Sequence, residues 1–298
     1  MPKREVHMSR RGELWCGRFQ AMASPCEVLV DSADRRLARE LAQIGAREAW
    51  RIENTFSRYR DDNIVHRINN AAGASVEVDE ETARLLDFAD QCYTLSEGLF
   101  DITSGVLRRA WRFDGGRAVP DAEVIERLLP RVGWQKASWE KPTLTLPAGM
   151  EIDFGGIGKE YAVDSANRLL AAHSDAPALV NLGGDLAVTA NRRTAPAWRA
   201  GVEDPAGGGA RGAIQIQQGA LATSGDTYRY VLKDGVRYGH ILDPRSGWPV
   251  AGAPRSVTVA APNCTQAGML ATFSMLQGSA AESYLQAQDV PHWCQRLA

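Results

Sequence analysis

Apolar positions along the chain follow two rhythms, one helical and one strand-like. Leu37, Leu41, Ile44, Ala49, Ile52 and Phe56 recur with roughly the 3.6-residue helical period, and Asp34 stands where an N-cap belongs. After a polar break, F-S-R-Y-R-D-D-N (56–63), a second helix is predicted to open beyond Asp79. It carries Leu85, Ala89, Cys92 and Tyr93 on one face and closes near Gly98. Tyr161, Ala162, Val163, Ala166, Leu169 and Leu170 predict a third helix. A short one is expected over 122–129, and a last one from near Thr265 with Met269, Phe273 and Leu276 inward. Strand-like stretches lie at 26–31, 143–146, 178–182, 186–190, 198–202, 213–217, 229–233, 238–241 and 256–260. G-G-G-A-R-G (207–212) reads as a flexible hairpin tip. Helices and mostly antiparallel strands in separate runs make an α+β chain, with no repeat and no linker long enough to separate domains.

Composition narrows the class of partner. The 298 residues can bury a substantial core, and 34 Lys plus Arg against 36 Asp plus Glu leave a formal charge of −2, so no nucleic-acid surface is expected. Lys3, Arg4, Arg10 and Arg11 cluster near the start, but Glu5 and Glu13 interrupt them, and residues 1–14 are expected to be a solvated, flexible tail. Cys16, Cys26, Cys92, Cys264 and Cys294 are scattered without a C-x-x-C, against both a disulfide framework and a structural zinc site. No secretory signal is evident, and no window reaches the roughly 18 apolar residues of a membrane span; a cytoplasmic protein without membrane insertion is expected.

The candidate chemistry lies in two glycine segments, E-I-D-F-G-G-I-G-K-E-Y-A-V-D (151–164) and L-V-N-L-G-G-D (179–185). Each starts as an apolar strand and presents glycine-bared backbone beside a carboxylate. The first runs into a helix, and backbone N–H groups at such an N-terminus receive anions. It is not a P-loop, because Asp153 stands where the first P-loop glycine belongs. Nor is it the dinucleotide fingerprint, because Tyr161 replaces the third glycine. Asp153, Asp164 and Asp185 suit a ribose, a base edge or a metal; each also suits a helix cap or an Asx-turn. A-T-S-G-D (222–226) offers two hydroxyls, glycine and a carboxylate, or an ordinary turn. His240 ends a strand ahead of Asp243 and Arg245, as a general base near neutral pH or as a structural histidine. Phe100 beside Asp101 suits a flat heterocycle or the core. Met22 and Tyr59 carry no signal by themselves.

Taken in order, these segments closely resemble the ApbE family of flavin transferases. M-A-S-P (22–25) looks like its M-G-T-P opening, and F-S-R-Y (56–59) through H-R-I-N (66–69) resembles its S-x-Y…S-x-x-N segment. G-L-F-D-I-T (98–103), D-F-G-G-I-G-K (153–159), V-N-L-G-G-D (180–185), A-T-S-G (222–225) and D-P-R-S-G (243–247) look like its remaining motifs. The resemblance spans roughly residues 15–296. It implies one unit over 15–298, built as two intimately packed α/β lobes with an FAD cleft between them. The implied activity moves the FMN moiety of FAD to a threonine or serine hydroxyl of an acceptor flavoprotein and releases AMP, with magnesium on the pyrophosphate. By matched position, Met22, Tyr59, Leu99, Phe100, Asp101, Asp153, Lys159 and the Ile241 backbone are implied to contact the flavin nucleotide. His240 is implied to be the base, and Gly156, Ala271 and Thr272 to hold the metal.

Two departures bear on that metal. The family's A-D-A-x-x-T helix reads A-G-M-L-A-T (267–272) here, so Gly268 replaces the acidic ligand, and Glu160 follows the lysine where the family has glycine. Magnesium favours oxygen donors with one or two carboxylates. Metal affinity is therefore expected to fall unless a carboxylate such as Asp226 compensates. The alternatives implied are a non-catalytic FAD-binding protein and an FAD pyrophosphatase. A further departure is that no lipoprotein signal is seen, although many relatives act outside the cytoplasmic membrane.

Overall fold

The computed structural model describes residues 4–203, 209–227 and 229–296. From the start run β1 (His7–Arg11), β2 (Leu14–Ala21), β3 (Ser24–Val30), α1 (Arg35–Phe56), α2 (Ile64–Asn69), β4 (Ser75–Glu77) and α3 (Glu80–Leu95). A 3-10 stretch, Ile102–Arg109, leads to α4 (Ala122–Leu128), β5 (Ser138–Glu140), β6 (Thr143–Thr145) and α5 (Gly158–His173). Then follow β7 (Ala178–Leu182), β8 (Asp185–Val188), β9 (Trp198–Glu203), β10 (Ala210–Ile216) and β11 (Gly219–Gly225). The chain finishes with β12 (Tyr230–Lys233), β13 (Val236–Gly239), β14 (Ser256–Ala261), α6 (Cys264–Leu276), α7 (Ala281–Ala287) and β15 (His292–Gln295).

Eight strands form the main sheet in the order β1-β2-β3-β7-β8-β11-β14-β15, every neighbouring pair antiparallel. Successive side chains point to opposite faces, so alternation fills two different cores. Phe19, Ala21, Cys26, Val28, Val30, Ala178, Val180, Leu182, Ala187, Ala220 and Ala222 join the larger core, which α1, α5 and α6 cover. Leu14, Cys16, Leu29, Leu179, Leu186, Val188 and Leu221 face the other way, under Trp198, Ile214 and Ile216 of the β9 and β10 hairpin. A small sheet, β4-β6-β5, packs with α3; Trp134 and Trp139 donate their indole N–H to Asp90 and Asp87 of that helix. Val76, Leu85, Leu86 and Leu144 belong to the same core as the main sheet's helices, which is the α+β arrangement in two lobes with shared packing.

The predicted caps are present. Asp34, Asp79 and Asn263 accept from the first-turn amides of α1, α3 and α6. α3 closes with Gly98 (φ 80°) donating to the Tyr93 carbonyl and Glu97 to that of Thr94, a Schellman ending. One expectation is corrected: residues 1–14 are not a flexible tail over their described stretch. His7–Arg11 is an edge strand paired with β2, Val6 and Met8 pack on the core, and the Arg10 guanidinium lies 4.5 Å over the Trp15 ring. The charges that suggested a tail are those that keep an exposed sheet edge soluble. The turn expected over 207–212 falls partly outside the described residues, and β10 already begins at Ala210 within it. Among the described residues no helix is long and apolar enough to cross a membrane.

The tip between β2 and β3 is strained. Met22 (φ 52°) and Ala23 (φ 56°) both occupy the left-handed region, as a two-residue hairpin turn with a right-handed twist requires, and neither is glycine. Met22 is held there by its N–H, which donates to Glu53 Oε1 at 2.7 Å. The left-handed cost of about 1 kcal/mol at exposed Ala23 exceeds the entropy lost by glycine. Ala23→Gly is therefore expected to raise stability by about 0.5 kcal/mol in a urea titration; a drop would mean the turn is not strained.

Candidate functional site

The first glycine segment leaves the core as an Asx-turn. Asp153 Oδ1 accepts from the Gly155 N–H at 2.9 Å, and Oδ2 faces Arg58 Nη1 at 3.2 Å and Arg108 Nε at 3.6 Å. Glycine is required nearby, because a Cβ on Gly105 would sit 2.6 Å from Asp153 Cβ and one on Gly156 would sit 2.9 Å from the Phe100 ring. α5 then opens at Gly158 with no side-chain cap on its first turn, although the Gly158 N–H itself donates to the Phe154 carbonyl at 2.7 Å. Lys159, in that turn, places Nζ 2.5 Å from Asp185 Oδ2, which β8 carries after the second glycine turn (Gly183 φ 64°, Gly184 φ 101°). Burial by itself would lower the lysine, but the Asp185 charge outweighs it and holds the ammonium well above its ordinary value. Asp185 is 1 % exposed, and its other oxygen accepts from the Thr223 N–H.

The three aspartates thus diverge. Asp153 and Asp185 sit at the loop, whereas Asp164 accepts from Cys264 N–H, Thr265 N–H and Thr265 Oγ1–H and fastens the start of α6 to α5. Asp101 is likewise engaged: Thr103 N–H and Oγ1–H reach Oδ1, and Trp134 N–H reaches Oδ2, with the residue buried. Its neighbour Phe100 is buried against Phe273 of α6 (centroids 5.9 Å apart), and Leu99 is half-buried. Asp243 accepts from the backbone and guanidinium of Arg245, which overcome its burial and lower its carboxyl; this is turn chemistry.

A cleft of about 400 Å³ opens beside Asp153, lined by Arg58, Tyr59, Arg108, Trp111, Phe113 and Arg229 among others. Tyr59 is 83 % exposed at its rim, with the Arg58 guanidinium 5.9 Å from the ring centroid. Phe113 stacks on Trp111 and meets His240 edge to face at 6.3 Å. His240 is partly buried, and its Nδ1 is buried with no hydrogen-bond partner among the described residues. Burial, then the charges of Arg108, Arg229 and Lys159, push its pKa from 6.5 down to about 3, so the imidazole is neutral at physiological pH with a free lone pair. Ile241 follows it, its carbonyl accepting from Val250 N–H.

The residues implied for a metal divide. Thr272 Oγ1 lies 3.4 Å from Ser224 Oγ, an oxygen pair at the α6 and β11 contact. Ala271 faces away: its side chain is in the apolar cluster with Val257, Val259 and Met275, and its carbonyl accepts from Ser274 Oγ. Helical spacing puts the 271 and 272 side chains about 100° apart, which leaves the Ala271 carbonyl, with one lone pair on Ser274 Oγ, as the donor that position offers. Asp226, the expected compensating carboxylate, has its Oδ2 held by Arg237 Nε (3.1 Å) and Arg255 Nη1 (2.9 Å), while its Oδ1 is buried with no partner among the described residues. Glu160 is likewise a buried carboxylate with one oxygen, Oε2, that has no partner among the described residues, but no arginine holds it and its side chain lies against Gly268; burial first, then the Asp185 charge, push its pKa up to about 8. Hydroxyl and carboxylate oxygens of this kind fit a magnesium-type donor set. Among the described residues no three His, Cys, Asp or Glu side chains converge as a self-sufficient metal cage.

Arg58, Arg108, Arg229 and Phe113 were not singled out in the sequence. Only the S-R-Y triplet hinted at the first, and nothing local marks the others, which approach from separate loops.

Fold and site define an α+β protein with an anion-receptive glycine loop beside a cationic cleft. The family model described as the ApbE family matches residues 22–292, and the chain belongs to that family. An FAD:protein FMN transferase of Treponema pallidum is 34 % identical over 246 residues, covering 76 % of this chain and 68 % of the relative. One from Klebsiella pneumoniae is 32 % identical over 245 residues, 80 % and 74 % of the two chains. The crystal structure of the ApbE protein from Thermotoga maritima superposes with a TM-score of 0.85 at 31 % identity, covering 97 % and 94 %. The flavin transferase ApbE from Vibrio cholerae gives 0.81 at 25 %, covering 97 % and 93 %.

Proposed function

We propose that this chain is an FAD:protein FMN transferase that moves FMN from FAD to a threonine or serine hydroxyl of an acceptor protein and releases AMP. The observation that carries the reading is His240: a neutral imidazole with a free Nδ1, placed where Arg108, Arg229 and Lys159 concentrate positive charge. A base for a hydroxyl proton needs that lone pair, and a pyrophosphate needs that field.

The flavin nucleotide lies along the glycine loop and the cleft, with Met22, Tyr59, Leu99, Phe100, Asp153, Lys159 and the Ile241 backbone as its contacts. Asp101 acts behind them by fixing Phe100 and Thr103. The acceptor hydroxyl oxygen attacks the FMN phosphorus, its proton passes to His240 Nδ1, and the bond from that phosphorus to the AMP-side bridging oxygen breaks. Docking of the anionic pyrophosphate offsets the cations that depress His240 and so raises its basicity. Magnesium, held through Thr272 and the Gly156 carbonyl, would neutralise charge on the leaving phosphate. The five cysteines are all unpaired, which supports a cytoplasmic place of action.

The test is incubation with FAD, magnesium and a threonine-bearing acceptor peptide, followed by flavin fluorescence on a denaturing gel. Covalent labelling of the peptide with release of AMP is expected. FMN released without labelling would make it a pyrophosphatase, and intact FAD retained would make it a binder.

A further inference from the structure

Glu160 and Gly268 are two halves of one feature. α5 and α6 pack together, and a Cβ placed on Gly268 would lie 2.4 Å from Glu160 Cγ and 2.9 Å from both Cδ and Oε1. The glutamate therefore fills the space that any side chain at 268 would take. Gly268 and Thr272 are one turn apart on α6 and share a face, so Glu160 packs on the side of α6 that also carries Thr272. Glu160 is 8 % exposed, and its Oε2 is buried with no hydrogen-bond partner. A carboxyl oxygen buried without a partner is costly. The adjacent cation is already taken, since Lys159 lies 2.5 Å from Asp185.

Building on the transferase reading above, we propose that Glu160 supplies the anionic oxygen ligand of the divalent cation, a carboxylate moved from α6 to α5. Glycine at 268 is the condition for it, because a side chain there would push Glu160 out of this position. One carboxylate and a hydroxyl, completed by backbone oxygen, water and substrate phosphate, make a normal magnesium set. The metal site departs from the pattern in residue position and keeps its chemistry.

Manganese, a paramagnetic stand-in for magnesium, tests this by titration followed in the electron paramagnetic resonance spectrum, with and without FAD. Wild type, Glu160→Gln, Gly268→Asp and the double variant Glu160→Gly with Gly268→Asp are compared, each checked by circular dichroism. Glu160→Gln keeps the shape and is expected to weaken manganese binding by at least about tenfold. Gly268→Asp alone is expected to bind no better than Glu160→Gln, whereas the double variant returns to within about threefold of wild type. Wild-type affinity in a folded Glu160→Gln, or no recovery in a folded double variant, would overturn the assignment, as would no manganese binding by the wild type. FAD binding by the wild type in metal-free buffer is read separately. Its loss would count against the flavin reading and leaves the FAD-free manganese comparison intact.

Discussion

His240→Ala is expected to lower transfer to the acceptor by about 10²- to 10⁴-fold, the range for loss of a positioned general base. Asp114 also lines the cleft and Asp153 is held by Arg58 and Arg108, whereas the groups acting on His240 are Arg108, Arg229 and Lys159, all cations, and Phe113. The loss should fall on kcat, with the KM for FAD changing little, because the proposed role of Nδ1 is to take the acceptor's proton and not to position the nucleotide. Single-turnover labelling separates the two. A loss below about tenfold would show that the proton leaves by another route.

The same histidine leaves a mark on folding. Its folded pKa of about 3 lies below the ordinary 6.5, so in that window the unfolded chain binds a proton that the folded chain refuses. Its contribution is therefore flat above about pH 6.5 and becomes destabilising as pH falls from there towards 3, by up to about 1.4 kcal/mol per unit. His240→Gln should remove this share of the slope in urea titrations between pH 5 and pH 7 (values set by the roughly 6.5 reference). Identical slopes in the two proteins would mean that the histidine is open to solvent.

Lys159→Met is expected to be the most damaging single change to stability among those considered. Asp185 is 1 % exposed and sits 2.5 Å from the lysine ammonium, with the Thr223 N–H as its other donor. Removing the cation leaves a buried, uncompensated carboxylate, at a cost of about 3–5 kcal/mol. Adding Asp185→Asn to the methionine variant removes that charge and should recover more than half of the loss, which a urea-denaturation cycle measures. No recovery would locate the damage in packing. FAD binding should stay weak in both variants, since the first-turn cation of α5 is gone from each.

The sequence was a good guide where local chemistry decides the outcome. Asp34, Asp79 and Gly98 mark helix ends because a cap is made by residues within a turn of each other. The apolar run over 178–182 and the alternation over 256–260 mark strands whose faces are both largely buried, β7 and β14. It was a poor guide at the sheet edges. β1 and β15 pair on one side only, and their polar residues look like loops until the partner strand is known. β2 was missed because Gly17 and Arg18 interrupt its pattern; Gly17 is needed there, as a Cβ would lie 2.3 Å from Ala42 Cβ of α1.

What the sequence determined by itself was the α+β class, the order of the motifs and the two glycine turns, all of which depend on contacts between near neighbours in the chain. Tertiary structure alone decided how the charged groups are shared. It spent Asp164 on a helix cap, Asp101 on Thr103 and Trp134, and Asp226 on two arginines, and it paired Lys159 with Asp185. It also made sense of the two departures at 160 and 268 together. Each is an isolated oddity along the chain, and only the packing of α5 on α6 brings the glutamate into the space the glycine leaves. Electrostatic and steric roles are set by distance in space, which the linear order of residues does not record.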